Sequence, residues 1–423
     1  MYRKIKVSIK YLFRRSVCNL KLFIKWSIFS IINGLVVGGI STLFAYCLNS
    51  VTDFRTSHKD IILFLPFAGI GIVFLYGILK YKNDKGTNLV LSTIHAESDI
   101  PIKMAPLIFI STIITHLFGG SAGREGAALQ LGGSIGNFLG KIFKFDDEDK
   151  RVIIMCGMSA AFSAVFGTPI AAAIFSMEIV SVGVMYYAAL VPCVFSSIIA
   201  SQFAVDMGIR PERFMINNIP NLSINSGLKI CLLAICCAGI SVVFCIMLHG
   251  LGDIYRKYLK NPYIRIVFAG TLIVVITLLL GNTDYNGAGV PVIEEAIKGK
   301  VVPYAFLLKM IMTAITIEAG YKGGEIVPSF FIGATFGCLF GMIIGISPSL
   351  CAAVGMIAVF CGMTNCPITS ILIGFELFGF EGSIYFLIAI SISYLLSGYY
   401  GLYEDQTIVY SKYKARFINR KTR

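Results

Sequence analysis

Long apolar segments recur along the chain, and they limit its possible folds more than any other feature. A bilayer core about 30 Å thick is crossed by about 20 helical residues. Some apolar segments reach that length and others are shorter, as in 26–48, 61–79, 230–248, 107–117 and 384–396. Short segments are tolerated in a membrane only where protein or water surrounds them. The pattern therefore predicts an all-α polytopic membrane protein with tilted and broken helices.

The distribution of charge argues against a nucleic-acid partner, although the net charge is +13. Residues 1–25 hold eight basic residues and 411–423 hold six, both without an acid, which leaves the body between them at −1. Lys- and Arg-rich flanks of membrane segments stay in the cytoplasm. We therefore expect a single transmembrane domain over residues 1–423 in the cell membrane. Its basic cytoplasmic tails would be 1–25 and 411–423, able to contact anionic lipid, with no soluble regulatory domain.

Cysteine and histidine lack the spacing that metal binding or redox chemistry needs. The 12 cysteines form no CxxC pair, most lie inside apolar segments, and the four histidines are scattered. Buried free cysteines usually behave as small apolar side chains. The sequence therefore predicts neither a metal nor another cofactor.

Two pairs of segments repeat in the same order along the chain. Residues 157–178 match 355–376 at a separation of 198, each with a proline nine residues before a final glutamate. Upstream, 123–125 (Gly-Arg-Glu) matches 324–326 (Gly-Glu-Ile) at a separation of 201. Duplicated halves are typical of secondary transporters and related channels, whose substrate site lies between the halves.

A glycine-rich turn opens a helix in each of these repeats, which we place at approximately residues 60–210 and 226–400. Glycines then recur at intervals of four along each helix, a spacing typical of close helix packing. A helix N-terminus carries about half a positive charge and unpaired N–H donors, so it readily binds an anion. Two such turns meeting at a pseudo-two-fold axis would form an anion site without a buried Lys or Arg.

Acidic residues stand in or near both turns. An ionisable group at membrane depth is a functional hypothesis by default. The Glu125 carboxylate would compete with a permeant anion for the positive helix end, and protonation would release it, so Glu125 is a candidate gate and proton carrier. Alternatively, it is a loop acid paired with Arg124. Glu325 stands in the second turn, where it either carries protons or stabilises the helix dipole. Glu318 either belongs to a proton path or pairs with Lys322.

Two further residues, Tyr403 and Ser121, each allow two interpretations. Tyr403 follows the last apolar segment, where its phenol either donates to an anion or anchors the chain at the membrane interface. Ser121 lies in a G-x-S-x-G sequence, which in hydrolases follows a strand. An apolar segment of helical length precedes it here. An intramembrane serine hydrolase with His116 or His249 as base is therefore a remote alternative.

Together these motifs resemble the CLC family of chloride channels and proton-coupled antiporters. They are GREG at 123–126, the turn at 324–328, the two proline blocks and Tyr403, and the similarity spans roughly residues 20–410. The resemblance implies a homodimer with one pore per subunit, built from inverted repeats of tilted and broken helices. It also implies that Glu125 is the external gating glutamate and Tyr403 the pore tyrosine.

Three departures from the chloride-handling members resemble the fluoride/proton antiporter branch, CLC-F. The GSGIP turn of those members is absent, and Thr87 or Asn88 occupies the corresponding stretch. Ile179 stands where typical antiporters have an internal proton-transfer acid. Glu325 stands where this branch has an acid, and Val327 replaces the threonine that usually follows it.

We therefore predict a secondary transporter, not an enzyme, that exports fluoride from the cytoplasm in exchange for inward protons. The alternatives within the fold are an antiporter for chloride or another anion, and an anion channel. The predicted gating and proton residues are Glu125 and Glu325, with Glu318 in a possible proton path. The predicted anion-binding residues come from both turns, the first-turn stretch and the pore: Gly123, Arg124, Gly126, Thr87, Asn88, Ile326, Val327 and Tyr403.

Overall fold

The computed structural model describes residues 2–81, 85–95 and 98–422, with side chains from residue 14 onward. This part of the chain contains sixteen α-helices. They are α1 (Tyr2–Ser57), α2 (Leu65–Ile78), α3 (Thr87–Ile94), α4 (Met104–Leu117), α5 (Glu125–Ile142), α6 (Asp147–Phe166), α7 (Pro169–Glu178), α8 (Leu190–Asp206), α9 (Ile224–Tyr258), α10 (Pro262–Leu280), α11 (Val290–Ile297), α12 (Ala305–Ala319), α13 (Ile326–Ile344), α14 (Pro348–Thr364), α15 (Pro367–Phe378) and α16 (Ser383–Leu396). The strands are β1 (Ser181–Val182), β2 (Thr407–Tyr410) and β3 (Phe417–Lys421), and two 3-10 helices lie at Lys59–Phe64 and Tyr187–Ala189.

Full-length and short apolar helices are mixed, as the sequence predicted. In the described chain six segments are long and apolar enough to cross a membrane: Arg14–Ser57, Lys59–Ile78, Tyr187–Asp206, Ile224–Tyr258, Pro262–Leu280 and Ile326–Ile344. Five shorter apolar helices, α4, α7, α14, α15 and α16, have only 10–17 residues. Since such helices must be surrounded by protein, they pack among the long ones. The predicted polytopic fold of broken helices is confirmed.

The helices form two halves, α1–α8 and α9–α16, with a similar order of lengths. Each half begins with its longest helix, of 56 and 35 residues, and has an eight-residue helix in third place. The two halves run in opposite directions. Asn49 near the end of α1 and Glu212 in the linker before α9 both accept hydrogen bonds from Arg124. The end of α1 and the start of α9 therefore lie on the same side of the protein. Since these two helices hold the same place in their halves, the halves are inverted.

The order of the helices suggests where each repeat begins. The predicted start of the second repeat, near residue 226, coincides with the start of α9, whereas the predicted start of the first, near residue 60, falls after α1. Since α1 is the counterpart of α9, we infer that the first repeat includes α1. The length of α1, about 84 Å at 1.5 Å per residue, hides this equivalence in the sequence.

Within each half, two helices pack at backbone distance. A Cβ placed on Gly132 of α5 would lie 2.1 Å from the carbonyl oxygen of Gly157 in α6. A Cβ on Gly333 of α13 would lie 2.3 Å from the carbonyl oxygen of Gly355 in α14. No larger residue fits at these contacts, so the repeated glycines serve helix packing in both halves.

The two halves also cap each other's helices. Glu178, the last residue of α7, accepts the N–H groups of Ile368 and Thr369 at the start of α15, at 3.0 and 2.8 Å. Glu376 of α15 accepts those of Ile170 and Ala171 at the start of α7, at 2.9 and 2.8 Å. Each carboxylate satisfies the unpaired donors and the dipole of the opposite helix. These repeat-equivalent glutamates therefore join the two halves.

Both terminal segments are structured where they are described. Residues 2–25 continue α1 without a break, although the side chains of Arg3, Lys4, Lys6 and Lys10 lie outside the described residues. At the other end β2 pairs in parallel with β1 and antiparallel with β3, a small sheet that the sequence analysis did not predict. Residues 411–422 are thus docked on the helical body.

Candidate functional site

The two glycine-rich turns meet inside the protein. The first, 119–124, joins α4 to α5, and the second, 320–325, joins α12 to α13. The N–H of Gly123 donates to the carbonyl of Gly324 at 2.7 Å, and the N–H of Gly324 donates back at 2.9 Å. This pair of hydrogen bonds, called the bridge below, brings the starts of α5 and α13 together. The N-cap residues of these helices, Arg124 and Glu325, make no side-chain cap, so each helix start presents backbone N–H donors and a positive dipole end.

Close approach of the two backbones explains the glycines of the bridge. A Cβ placed on Gly324 would lie 2.5 Å from the nitrogen of Gly126, and one on Gly126 would lie 2.9 Å from the Cα of Gly324. Backbone atoms cannot yield as a flexible side chain can. Any side chain at these positions would therefore separate the two helix starts.

Glu125 lies on the side of the bridge that faces the linker 207–223. Glu125 is fully buried, with 0% of its surface exposed. Its Oε2 accepts the backbone N–H of Arg124 at 3.1 Å, and its Oε1 lies 3.4 Å from Arg124 Nε. The other two nitrogens of that guanidinium donate to Asn49 Oδ1 and Glu212 Oε1, both at 2.9 Å. Glu125 is therefore not an exposed loop acid, and its carboxylate occupies the start of α5.

An open cavity of about 1280 Å³ lies beyond the second turn. Its buried or half-buried polar lining includes Thr87, Gln130, Glu325 and Tyr403. The cavity is also lined by charged residues of both signs: Lys85, Arg256, Lys260, Arg265, Lys322, Glu318, Glu404 and Asp405. Glu125 does not line this cavity. The two candidate gating acids therefore have different surroundings, one enclosed and one facing an open space.

Thr87 and Asn88 begin α3 and have different partners. Thr87 Oγ1 lies 3.4 Å from the carbonyl oxygen of Gly126. A Cβ on Gly126 would have Glu325 Oε2 at 3.5 Å and Thr87 Oγ1 at 3.6 Å, so these two side chains flank the same point. Asn88 Oδ1 instead accepts the N–H of Asp405 at 3.1 Å. Of the two alternatives, Thr87 is the residue that lies beside the bridge.

Tyr403 carries an unsatisfied donor. The residue is 2% exposed, and its phenol oxygen has no hydrogen-bond partner in the described part of the chain. Buried polar groups are almost always paired, so this hydroxyl, at the wall of the cavity, is a donor without an acceptor among the described residues. The carbonyl of Tyr403 accepts from the N–H of Gln406 at 3.0 Å and from the Thr422 hydroxyl at 2.5 Å. The C-terminal segment therefore fixes the position of this tyrosine.

Ile326 and Val327 form the first turn of α13 and are buried, at 0% and 3% exposure. Their side chains have no polar atom. Any contact with an anion would therefore come from their backbone N–H groups.

Glu318 lines the cavity without the predicted partner. Its carboxylate packs against Gly252 of α9, where a Cβ would meet Oε2 at 2.3 Å. The Lys322 ammonium lies 4.6 Å from the ring centre of Tyr76. No ion pair joins Glu318 to Lys322 among the described residues, so the expectation of that pair was wrong.

Ser121 has no histidine partner in the described part of the chain. It follows α4, a helix rather than a strand, and its hydroxyl lies 3.1 Å from Thr313 Oγ1. The ring of His116 contacts the carbonyl of Gly123 at 3.2 Å, and His249 lines the cavity. No histidine contacts Ser121 in the described chain, so the hydrolase alternative was wrong.

Three residues near the site were missed from the sequence. Gln130 is a buried amide in α5 whose Nε2 lies 3.4 Å from Thr87 Oγ1. A polar residue in an apolar, glycine-rich helix could have indicated this position from the sequence. Gln406 donates to the carbonyl oxygens of Ile179 and Thr364 at 2.9 and 2.8 Å. Neither Gln406 nor Glu212 lies in a motif, and only the fold brings them to the site.

The fold has two inverted helical halves, and the bridge joins a helix start from each half between two acids. This arrangement is that of a membrane ion-transport protein rather than an enzyme. The chain belongs to the CLC family, because residues 69–398 match the voltage gated chloride channel family. It is 35% identical to a chloride/fluoride channel protein of Pseudomonas syringae pv. tomato, over 92% of this chain and 88% of that one. It is 25% identical to an H(+)/Cl(−) exchange transporter ClcA of Vibrio cholerae, over 82% and 81%.

Solved structures agree with this assignment. The crystal structure of a CLC-type fluoride/proton antiporter superposes with a TM-score of 0.87 at 33% identity, covering 90% of this chain and 97% of that one. A slow cyanobacterial Cl−/H+ antiporter superposes with a TM-score of 0.74 at 18% identity, over 88% and 94%, which supports the fold alone. The predicted inverted-repeat fold is confirmed.

Proposed function

We propose that the chain is a proton-coupled antiporter that exports fluoride from the cytoplasm in exchange for inward protons. The observation that carries this proposal is the bridge of Gly123 and Gly324, with the enclosed Glu125 at one helix start and Glu325, facing the cavity, at the other. A single anion site with a carboxylate on each side suits coupled movement of anions and protons. Fluoride as the anion is supported by the relatives that are 35% and 33% identical.

The proposed anion site consists of donors around the bridge. Fluoride is a small ionic acceptor, and hydrogen bonds to ionic acceptors are short and strong, so close donors must replace its water. Thr87 and Tyr403 supply hydroxyl groups. The backbone supplies N–H groups at the two helix starts: Gly126, Ile326 and Val327. Gly123 contributes by holding the helix starts together, because its own N–H donates to Gly324. Arg124 acts through Glu125 in this proposal, because its guanidinium is engaged by three acceptors.

Glu125 is the proposed gate on the side of the linker. Its ionised carboxylate at the start of α5 excludes another anion from the same positive helix end. When Glu125 takes a proton, the carboxylic acid no longer competes with fluoride, and the anion can pass. The same group thus admits a proton and releases an anion.

Glu325 and Glu318 are the proposed inner proton carriers. Both line the cavity, so protons can reach them from its open end. Ile179 cannot carry a proton, and its carbonyl is bound by Gln406 at 2.9 Å. Glu318 lies between the open end and Glu325 in this proposal, and it takes the role of a relay.

Both termini are proposed to face the cytoplasm. Lys25 of α1 pairs with Asp149 at the start of α6. Lys141 at the end of α5 pairs with Asp99 after α3, and the first turn of α3 contacts the Asp405 segment. These contacts support a position of Lys25 and the C-terminal strands on the same side of the protein, and the excess of Lys and Arg in both terminal segments favours the cytoplasmic side.

We also propose a homodimer in the lipid bilayer, with one pore in each subunit. The capping carboxylates of Glu178 and Glu376 lie at the short helices α7 and α15, and Glu376 is only half-buried. Ile170 and Ile368 beside them are 56% and 46% exposed. A carboxylate next to lipid is costly, so a second copy of the chain covering this face would stabilise it.

The anion is tested by efflux from liposomes that contain the purified protein and are loaded with fluoride or with chloride. We expect fluoride to leave at least about tenfold faster, equivalent to 1.4 kcal/mol of discrimination. Equal rates would favour the second candidate, an antiporter or channel for chloride or another anion. The observation behind that candidate is Val327, which lacks the hydroxyl of the threonine that the fluoride branch usually has at this position. The matched variant Val327→Thr should raise the preference for fluoride.

A further inference from the structure

We propose that Glu212, in the linker between the two halves, is the counter-charge of Arg124, the cation that pairs with the gate on its outer side. It keeps Arg124 paired when Glu125 takes a proton and moves, and it thereby sets the external pH at which the gate opens. This inference rests on the proposed function, because it takes Glu125 as the gate. Glu212 acts through Arg124 and is therefore a positioning residue.

Two carboxylates, those of Glu125 and Glu212, contact the same guanidinium of Arg124. Arg124 Nη2 lies 2.9 Å from Glu212 Oε1, whereas Arg124 Nε lies 3.4 Å from Glu125 Oε1. The side chains of Arg124, Glu125 and Glu212 are 15%, 1% and 20% exposed. Glu212 is thus the shorter contact and the more accessible acid, and Glu125 is the enclosed one.

The charges of this group favour one bound proton. If both acids are ionised, the three side chains carry a net charge of −1, and each carboxylate opposes ionisation of the other. A single proton makes the group neutral. When Glu125 takes that proton, Arg124 retains Glu212 and Asn49, both at 2.9 Å, so its guanidinium needs no new partner.

Other charged or titratable groups near the gate come from α4, α1, α12 and the linker. His116 contacts the carbonyl of Gly123, with Arg55 and Lys309 close to its ring, and Arg210 and Arg213 neighbour Glu212 in the chain. Among the described residues none of them forms a hydrogen bond or ion pair with the side chain of Arg124 or Glu212. A change at Glu212 therefore alters one contact of Arg124 and one charge near Glu125.

The sign of the effect follows from these charges. The variant Glu212→Gln removes a negative charge and leaves Arg124 as a full counter-charge for Glu125. The ionised gate is then more stable, and a higher proton concentration is needed to open it. The external pH of half-maximal fluoride efflux should fall by about one unit.

The test is fluoride efflux from liposomes at external pH 5–8, with protein-free liposomes as the blank. Glu212→Asp keeps the charge and should restore the wild-type profile. Glu381→Gln removes an exposed acid in the α15–α16 turn and should leave the profile unchanged. Asn49→Asp adds a negative charge at the exposed third partner of Arg124, so the profile should shift towards higher pH. This variant keeps the test decisive if Glu212→Gln does not fold.

A double variant separates positioning from a structural role. In a Glu125→Gln background, Glu212→Gln should change efflux less than about twofold, because the gate is already lost. The proposal is overturned if the Glu212→Gln variant has the same pH profile of fluoride efflux as the wild type. It is also overturned if Glu212→Gln changes the efflux rate of the Glu125→Gln variant as much as it changes that of the wild type. If the wild type itself moves fluoride without protons, the proposed function has failed instead, and that result is recognised before any variant is compared.

Discussion

At the scale of single residues, the two turns are equivalent in position and different in charge. Arg124 and Glu325 each precede the first turn of their helices, α5 and α13. The turn before α5 thus supplies a cation followed by Glu125, whereas the turn before α13 supplies only an acid. Glu125 therefore has a counter-charge that holds it at the helix start, and Glu325 faces the cavity without an ion pair among the described residues. This asymmetry gives the two acids separate roles, one as gate and one as carrier.

The variant Glu125→Gln should retain anion movement and lose proton coupling. Glutamine has nearly the same shape and carries neither the charge nor the titrating proton. In liposomes with an outward fluoride gradient, proton uptake should fall to the level of protein-free vesicles. Proton uptake at the wild-type ratio to fluoride would show that Glu125 is not the gate.

The variant Tyr403→Phe should weaken fluoride transport about tenfold at low fluoride concentration. It removes a buried phenolic O–H that has no partner in the described protein, and a hydrogen bond to a charged group is worth about 1.5–3 kcal/mol. Initial efflux rates over a series of fluoride concentrations measure the change. The matched control is Tyr385→Phe, whose hydroxyl already donates to Pro220 at 2.9 Å. Equal effects of both variants would remove Tyr403 from the anion site.

At the scale of helices and strands, the protein is held together by contacts between its two halves. The carboxylates of Glu178 and Glu376 cap α15 and α7 in a reciprocal pair. The C-terminal segment adds a second connection, because Gln406 binds carbonyl groups of Ile179 in the first half and Thr364 in the second. The same segment places Tyr403, so its docking links the stability of the fold to the site.

Glu178→Gln and Glu376→Gln should each lower the melting temperature and leave proton coupling unchanged. Each variant replaces a carboxylate oxygen by an NH2 group that cannot accept the backbone N–H, and loss of a helix cap costs about 0.5–2 kcal/mol. Thermal unfolding of the purified protein measures the loss, and Glu294→Gln, an exposed acid of α11, is the control. A change in coupling without a loss of stability would give these acids a role in transport.

The docking of the C-terminal segment should strengthen as the pH rises from about 8 to about 10.5. Burial lowers the pKa of Lys412 to about 8, and its ammonium donates to the carbonyl of Tyr394 at 3.0 Å. The unfolded chain, with an ordinary lysine pKa of about 10.5, binds more protons in this window, so stability rises with pH there. The melting temperature of the wild type minus that of Lys412→Met should therefore increase across the window. The exposed Lys414→Met should show no such trend.

Local features of the site were predictable from the sequence, and its long-range contacts were not. The glycine-rich turns, the helix starts and the acids are encoded within a few residues, and their repetition predicted that the turns would meet. The contacts of Arg124 with Glu212 and of Gln406 with Ile179 join residues 88 and 227 positions apart. No local pattern marks such pairs, because they depend on how whole helices pack. The β1–β2 pairing was missed for the same reason, since β1 has only two residues.

At the scale of the whole molecule, the inverted arrangement determines where charge acts. The net charge of +13 comes from the two ends of the chain, while the body between them is nearly neutral. Selectivity for an anion is therefore attributed to the helix starts at the bridge, where two dipoles of opposite halves converge. The acids on either side then couple that site to protons.

Proton-coupled fluoride export is tested most directly in sealed liposomes that contain the purified protein and a high internal fluoride concentration. External and internal pH are set equal, the membrane potential is clamped, and internal pH is followed as fluoride leaves. We expect the interior to become acidic, since each exit of fluoride brings protons inward against the gradient that builds up. Fluoride efflux with no change in internal pH beyond that of protein-free liposomes would contradict this expectation and would identify the protein as a channel.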